Sequence, residues 1–523
     1  MKKSTLTILF SIISILFFVG ISYCCTSIVV GKKASKYGFV IFGHNEDDGG
    51  LRVVNVWRVP RIKHKAGEML QLIEGGKIPQ VEETWAYIWF QVNGLKFSDY
   101  YMNEWGVHVA SDACPSREDD PDLTDGGIGY MLRRIVAERA RSAREGVMIA
   151  GKLLDKFGYV SSGRTMVICD ANEGWILSIV AGKHWVAQRV PDDGVVVLPN
   201  TYIIREVDFS DKENFITSKD NVRDYAIKRG WYDPKSGEKF DFAYTYMRVP
   251  GKKSRFVMRG YDTRQWRGQQ LFSGRAASIK EARKNGLPFA VRPNRKITVK
   301  DVMAVLRDHY ENTVYGPAKI VSVSVSPEQP SDYLGKSLPR FVTINPNFTT
   351  ERTICTPTTQ FSTVAQLRGD LPPDIGSVLW MCMGRPDVGV YVPWYSGINR
   401  VPDLFHNTPG IDCPFKALKH HLDPVEGTFD YDPDAAFWRF NDLENLVDVN
   451  YSRSIDEVTS VWKKLEKREF DLQPSIEETA IKLWKEDKEL CREFLTQITS
   501  SFTQEALIKT EKIIKKLKTK YYH

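Results

Sequence analysis

An apolar run over residues 6–21 stops at Ser22-Tyr23-Cys24-Cys25, and the next five residues, Thr26-Ser27-Ile28-Val29-Val30, have the β-branched, apolar character of a strand. The segment Gly31-Lys32-Lys33-Ala34-Ser35-Lys36-Tyr37-Gly38 then leads into a second such run at residues 39–43, so the two are expected to pair as a hairpin. Any domain formed here is built outward from a strand that opens at a cysteine.

Residues 1–24 carry the three parts of an export signal: Lys2 and Lys3, an apolar stretch, and small Ser22 and Cys24 at the third and first positions before a cut. Its most apolar part, residues 8–19, is shorter than the ~20 apolar residues a bilayer span takes, which favours cleavage over anchoring. Lipid attachment also uses a cysteine directly after an apolar run, so anchoring through Cys24 is a competing reading, and Tyr23 argues against it because that position is usually small. Cleavage after Cys24, by signal peptidase or by the protein itself, would yield an exported chain, periplasmic or extracellular. Cys25 would then carry a thiol and a free α-amine on one carbon, and the amine can act as the thiol's base.

No later apolar segment is long enough to span a membrane, so no stable membrane insertion is expected after cleavage. The formal net charge of +7 is spread over interspersed acids and bases, which makes no nucleic-acid footprint, and the basic stretch at 509–520 reads as a solvated helix face. The eight cysteines include no Cys-x-x-Cys pair and no zinc spacing, and most lie in apolar runs where a buried, inert thiol is the default. The nine histidines form no His-Glu-x-x-His, and Asp308-His309-Tyr310-Glu311 reads as packing at a helix end. No metal or other cofactor is expected.

Strand-like runs follow at 84–92, 107–111, 164–170, 175–180, 184–189 and 195–198, several separated by tight turns such as Pro191-Asp192-Asp193-Gly194, which predicts antiparallel sheet. Helical spacing appears at 129–140, 142–156 and 300–309, with Glu145-Gly146 breaking or starting the second of these. The combination predicts a layered α/β or α+β domain, and the predominance of antiparallel signals points to α+β. From residue 435 the strands fade, and Ser475-Ile476-Glu477-Glu478 and Ser501-Phe502-Thr503-Gln504 match the capping box that opens a helix. The expected organisation is a signal at 1–24, a main domain at 25–430 and a helical region at 431–523 packed on it.

Cys25-Thr26-Ser27-Ile28-Val29-Val30-Gly31 followed by His44-Asn45-Glu46-Asp47 resembles the opening of the cysteine-type N-terminal-nucleophile (Ntn) dipeptidases, the family of bacterial dipeptidase A to which the secernins are related. Asn103-Glu104-Trp105-Gly106-Val107, the block from Asp170-Ala171-Asn172-Glu173-Gly174-Trp175 to Leu198-Pro199-Asn200, and Val392-Pro393-Trp394-Tyr395 resemble further family segments in the same order. The resemblance implies a four-layer αββα Ntn-hydrolase sandwich with a helical C-terminal extension, and hydrolysis of dipeptides. A more distant similarity, to bile salt hydrolases and penicillin V acylases, implies catalytic roles for Cys25 as nucleophile, Asp47 as orienter of the α-amine, Asn200 as oxyanion donor and Arg255, in Ser254-Arg255-Phe256-Val257, as a positioning cation. His44 departs from the pattern, because the relatives usually carry arginine there. A histidine of unperturbed pKa ~6.5 is mostly neutral at about pH 7.5, so Arg52 is a candidate for the missing charge.

Taken without the resemblance, Asp47 sits in a turn-like sequence, Asn200 reads as a strand-end cap, Arg255 as a surface arginine and Asn103 as a turn residue. Asp112, Glu46 and Arg368 are candidates for binding the substrate's charged ends. Two other readings fit the same residues: an amidase acting on N-acyl amino acids, bile-salt-like conjugates or cell-wall peptides, and a non-enzymatic exported binding protein on the same fold. The expected partner is a dipeptide or small amide, and a homo-oligomer is compatible with the sequence.

Overall fold

The computed structural model describes residues 25–49, 52–248, 262–275, 278–311, 313 and 352–521. The segment expected to be an export signal, with Cys24, and Arg255 lie outside them. Fourteen strands make up its two large sheets: β1 (Thr26–Val30), β2 (Val40–Asp47), β3 (Val54–Val59), β4 (Tyr87–Val92), β5 (Tyr100–Asn103), β6 (His108–Ala113), β7 (Tyr159–Cys169), β8 (Gly174–Gly182), β9 (Trp185–Arg189), β10 (Val195–Leu198), β11 (Phe215–Thr217), β12 (Thr359–Leu367), β13 (Ser377–Met383) and β14 (Val392–Tyr395). One sheet has six strands in the order β10-β1-β2-β12-β13-β14, and the other eight in the order β11-β9-β8-β7-β6-β5-β4-β3. Every pairing in both is antiparallel.

The sheets face each other across one apolar interior that takes Ile28 and Phe42 from the first and Phe90, Tyr100 and Ala110 from the second. Phe42 stacks on Tyr100 with ring centroids 5.7 Å apart. Helices α1 (Met131–Arg139) and α2 (Ala143–Phe157) pack on the outer face of the eight-stranded sheet and close a second core around Trp57, Trp89 and Trp175. Gly151 is needed there, since a Cβ on it would stand 2.3 Å from the Trp185 ring. Gly146 lies inside α2, whose N-cap is Ser142 accepting from the Glu145 amide, so of the two readings of Glu145-Gly146 the start holds: the pair lies in the helix's first turn and breaks nothing.

Helices α3 (Thr263–Ser273) and α4 (Val299–Leu306) cover the other side of the six-stranded sheet, together with α5 (Ala436–Val449), α6 (Tyr451–Glu486) and α7 (Lys488–Tyr521). The result is the four-layer αββα sandwich that the resemblance implies. Both faces of each sheet are covered, so β1, β2 and β13 are buried along their whole length. Trp175 and Trp380 are fully buried and Trp185 nearly so, as core residues. All seven described cysteines are free thiols. No helix among the described residues is long and apolar enough to cross a membrane.

Two expectations fail in the C-terminal region. Helices do not begin at Ser475 or Ser501: α6 runs through Ser475 with Pro474 inside it, and α7 runs through Ser501, whose hydroxyl donates back to the Gln497 carbonyl at 2.8 Å. The buried stripe of Val458, Trp462, Leu465, Ile476 and Ala480 on α6 outweighs a local capping preference. The segment Asn45-Glu46-Asp47 is likewise strand rather than turn, because β2 pairs with β1 on one side and β12 on the other up to Asp47.

Candidate active site

Side chains alternate across a strand, so the register of the opening hairpin decides which groups meet. Ser27 pairs with His44 and Thr26 with Asn45. Cys25, Ser27, His44 and Glu46 therefore share one face, toward the eight-stranded sheet, while Asn45 turns to the other and donates from Nδ2 to the Leu306 and Ile354 carbonyls, both at 3.0 Å.

On the inner face these groups form one buried chain. The Cys25 thiol donates to Glu46 Oε1 at 2.9 Å, and Glu46 Oε2 lies 3.0 Å from His44 Nε2. His44 Nδ1 lies 2.8 Å from Ser27 Oγ, which donates to Asp112 Oδ2 of β6 at 2.7 Å. Burial dominates the electrostatics of all four titratable members. It pushes the Cys25 thiol up, assisted by Glu46, Asp112 and Asp47. It raises Glu46 well above the carboxylate range, lowers His44, and pushes Asp112 up to about 7. With the chain continuous through residue 25, the surroundings favour a neutral thiol.

Around the main chain of Cys25 the arrangement is different. Arg264, in the first turn of α3, donates through one guanidinium nitrogen to the Cys25 carbonyl at 2.9 Å and to Asn200 Oδ1 at 2.8 Å. Asp262, the N-cap of α3, accepts from the same guanidinium and orients it. The Asn200 amide is thus clamped beside the nucleophile by its oxygen, and its buried Nδ2 has no hydrogen-bond partner among the described residues. A buried amide donor without an acceptor is costly, so its presence calls for an explanation.

Asp47 accepts from Thr359 at 2.5 Å and pairs with Arg352 at 2.9 Å, with its carboxyl raised by burial. Arg52 pairs with Asp48 rather than standing in for an arginine at position 44. A pocket of about 210 Å³ opens onto the thiol, lined by Glu46, Asp47, Asp48, Lys96, Phe97 and Arg164 among others. The structure therefore brings together Cys25, Glu46, Asp47, Asp112 and Asn200.

Arg368 is not among them. It stands beyond the far end of β12, where Leu367 pairs with Val40. Its guanidinium is held by both oxygens of Glu477 on α6 at 2.6 Å, which makes it a clamp between sheet and helix instead of a substrate ligand. Asn103 is structural, holding the Ala137 and Ala140 carbonyls and the Trp105 and Val107 amides. Reasoning from sequence missed Arg264. The available signal was Asp262-Thr263-Arg264, an aspartate able to cap a helix two residues ahead of an arginine; the burial of that arginine, 3% exposed, is a property of the fold.

Residues 116–464 match the sequence profile of peptidase family C69. A probable dipeptidase of Latilactobacillus sakei is 27% identical over 397 residues, covering 74% of this chain and 76% of the relative. A probable dipeptidase of Salmonella dublin is 28% identical over 399 residues, covering 74% and 83%, and dipeptidase A of Lactobacillus helveticus is 25% identical over 401 residues, covering 74% and 78%. Among solved structures, a mutant of the conjugated bile acid hydrolase of Clostridium perfringens aligns over 69% of this chain and 89% of its own, with 12% identity and a TM-score of 0.29.

Proposed function

Because this chain belongs to peptidase family C69, and so is a cysteine-type peptidase, we propose that it is an exported dipeptidase whose nucleophile is Cys25 at a newly exposed N-terminus. The observation that carries the reading is the unpartnered Asn200 Nδ2, fixed by Arg264 beside the residue that opens a central strand. The names of the relatives support dipeptides as substrates. The pocket of about 210 Å³ falls below the ~300 Å³ at which drug-sized ligand sites begin. Its wall carries Lys96, a cation that suits the carboxylate end of a short peptide.

In this mechanism the α-amine released by cleavage after Cys24, with an ordinary pKa of ~7.7 to 8.0, takes the thiol proton. The carboxylates that oppose a thiolate favour the ammonium formed beside it. The thiolate attacks the scissile carbonyl, and the oxyanion accepts from Asn200 Nδ2. The ammonium then protonates the departing amine, leaving an acyl-enzyme, and the amine finally draws a proton from the water that hydrolyses it. Glu46 and Asp47 orient the ammonium, and Arg264 positions Asn200.

Intact mass and N-terminal sequencing of the protein from its native envelope, followed by assays on dipeptides and N-acyl amino acids, test the reading. The expected result is a chain beginning at unmodified Cys25 that prefers dipeptides, and a folded Cys25→Ala variant without turnover. A fully active chain that retains residues before Cys25, or full activity in Cys25→Ala, would overturn it.

A further inference from the structure

The inner face of the opening hairpin holds more than a nucleophile. Cys25 Sγ, His44 Nε2 and a Glu46 oxygen all lie within 4.8 Å of one another. Thiolate, imidazole and carboxylate are the donors zinc takes, and three protein ligands with one remaining position is the pattern of its open sites. We propose that Cys25, His44 and Glu46 form a binding site for a zinc-class divalent cation that reversibly locks the nucleophile.

The hydrogen-bond chain prepares the ligands. Ser27 spends its proton on Asp112, so its oxygen must accept from His44 Nδ1–H. That fixes the tautomer in which Nε2 carries the lone pair and faces Glu46, the carboxylate–hydroxyl–imidazole support that orients metal-binding histidines. Nε2 and Glu46 Oε2, 3.0 Å apart, share one proton, and the thiol donates a second to Oε1. A divalent cation entering between them expels both protons and binds thiolate, carboxylate and neutral imidazole. Two positive charges leave and two arrive, so the net charge of the buried cluster is unchanged. The cations whose field reaches Glu46 are Arg133 and Arg164. Both are engaged elsewhere: Arg133 on the Lys96, Phe97 and Asp99 carbonyls, Arg164 on the Phe97 carbonyl and Ser111 Oγ. The pocket that reaches the thiol supplies the route in and room for a water as fourth ligand.

A second cluster, His309, Cys355 and Asp387, has similar spacing. There Asp387 already binds Arg385 Nε at 2.7 Å and Tyr451 OH at 3.1 Å, so a fixed cation occupies the place of a metal's charge.

The lock rests on the peptidase reading, whereas the metal site does not, so the test reads binding directly. Cobalt(II) added to the chelator-treated protein should give a thiolate-to-cobalt charge-transfer band, displaced by zinc, with two protons released per ion. The band should vanish in Cys25→Ser and His44→Arg, persist in Cys355→Ser, and need about 10- to 100-fold more cobalt in Ser27→Ala, which keeps all three ligands but removes the hydroxyl that links His44 to Asp112. Circular dichroism establishes that each variant is folded. Zinc should also abolish dipeptide turnover over the range in which it binds, and chelator should restore it. A band that survives Cys25→Ser and disappears in Cys355→Ser, or its absence from the folded wild type, overturns the site. Zinc binding at Cys25 with turnover undiminished overturns the lock, and absence of turnover in metal-free protein refutes the dipeptidase reading while leaving the binding result standing.

Discussion

Asn200→Asp separates the catalytic from the structural role of one side chain. The substituted carboxylate is isosteric and keeps an oxygen for the Arg264 guanidinium, which now binds Asn200 Oδ1 at 2.8 Å and the Cys25 carbonyl at 2.9 Å. What it removes is Nδ2–H, the buried donor without a partner, and what it adds is an acceptor facing the site of the developing oxyanion. Loss of one oxyanion donor costs about 10²–10³ in kcat, or ~2.7–4 kcal/mol. The structure adds no folding penalty of similar size, because an ion pair with Arg264 replaces the bond from the guanidinium to a neutral amide oxygen. Steady-state kinetics on a dipeptide should therefore give a kcat lowered by about 10²–10³ with KM nearly unchanged, and a denaturation midpoint close to wild type. A variant that keeps more than about a third of wild-type kcat would refute the oxyanion assignment, and so would one in which the whole loss appears in KM.

Three further outcomes follow from the packing. Arg368→Ala strands the Glu477 carboxylate between sheet and α6, so unfolding should become easier by about 3 kcal/mol in a denaturant titration while kcat/KM of the folded enzyme holds. Gly43→Ala would put a Cβ 2.5 Å from Val302 Cγ1 and force α4 off β2, costing about 1–3 kcal/mol in the same assay. Glu469, buried on α6 with neither carboxylate oxygen partnered among the described residues, has its carboxyl pushed up to about 9 by burial, against ~4.3 when unfolded. Its folded pKa is the higher, so its contribution is intact below about pH 4.3 and is lost as pH rises toward 9. Relative to wild type, Glu469→Gln should gain stability across that window, by about 4 kcal/mol at pH 7, and an equal gain at pH 5 and pH 8 would refute the assignment.

Much of the sheet was legible because β-branched runs and tight turns are local signals: the strands at residues 26–30 and 195–198 coincide with β1 and β10. The capping boxes at Ser475 and Ser501 misled for the converse reason, since a preference of about 1 kcal/mol yields to the continuous buried stripe of a long helix. Within the site, Cys25 was reached from the junction where the apolar run ends at a cysteine that opens a strand, Asp47 and Asn200 through resemblance, and Asp112 and Glu46 as candidates for a different task. Arg368 looked equally available, and only its position beyond the far end of β12 removed it.

That the first described strand opens at a cysteine, that antiparallel strands and flanking helices follow, and that the C-terminal region is helical can all be read from residue order. These are properties of neighbouring residues, set by side-chain periodicity and turn chemistry. Glu46 and His44 meet the thiol, Ser27 hands their order on to Asp112 from another sheet, and Arg264 holds Asn200 beside the nucleophile only once the sheets are assembled. Those contacts join residues up to 239 positions apart. Strand register and the stacking of one sheet on another bring them into reach, and no local pattern encodes either one.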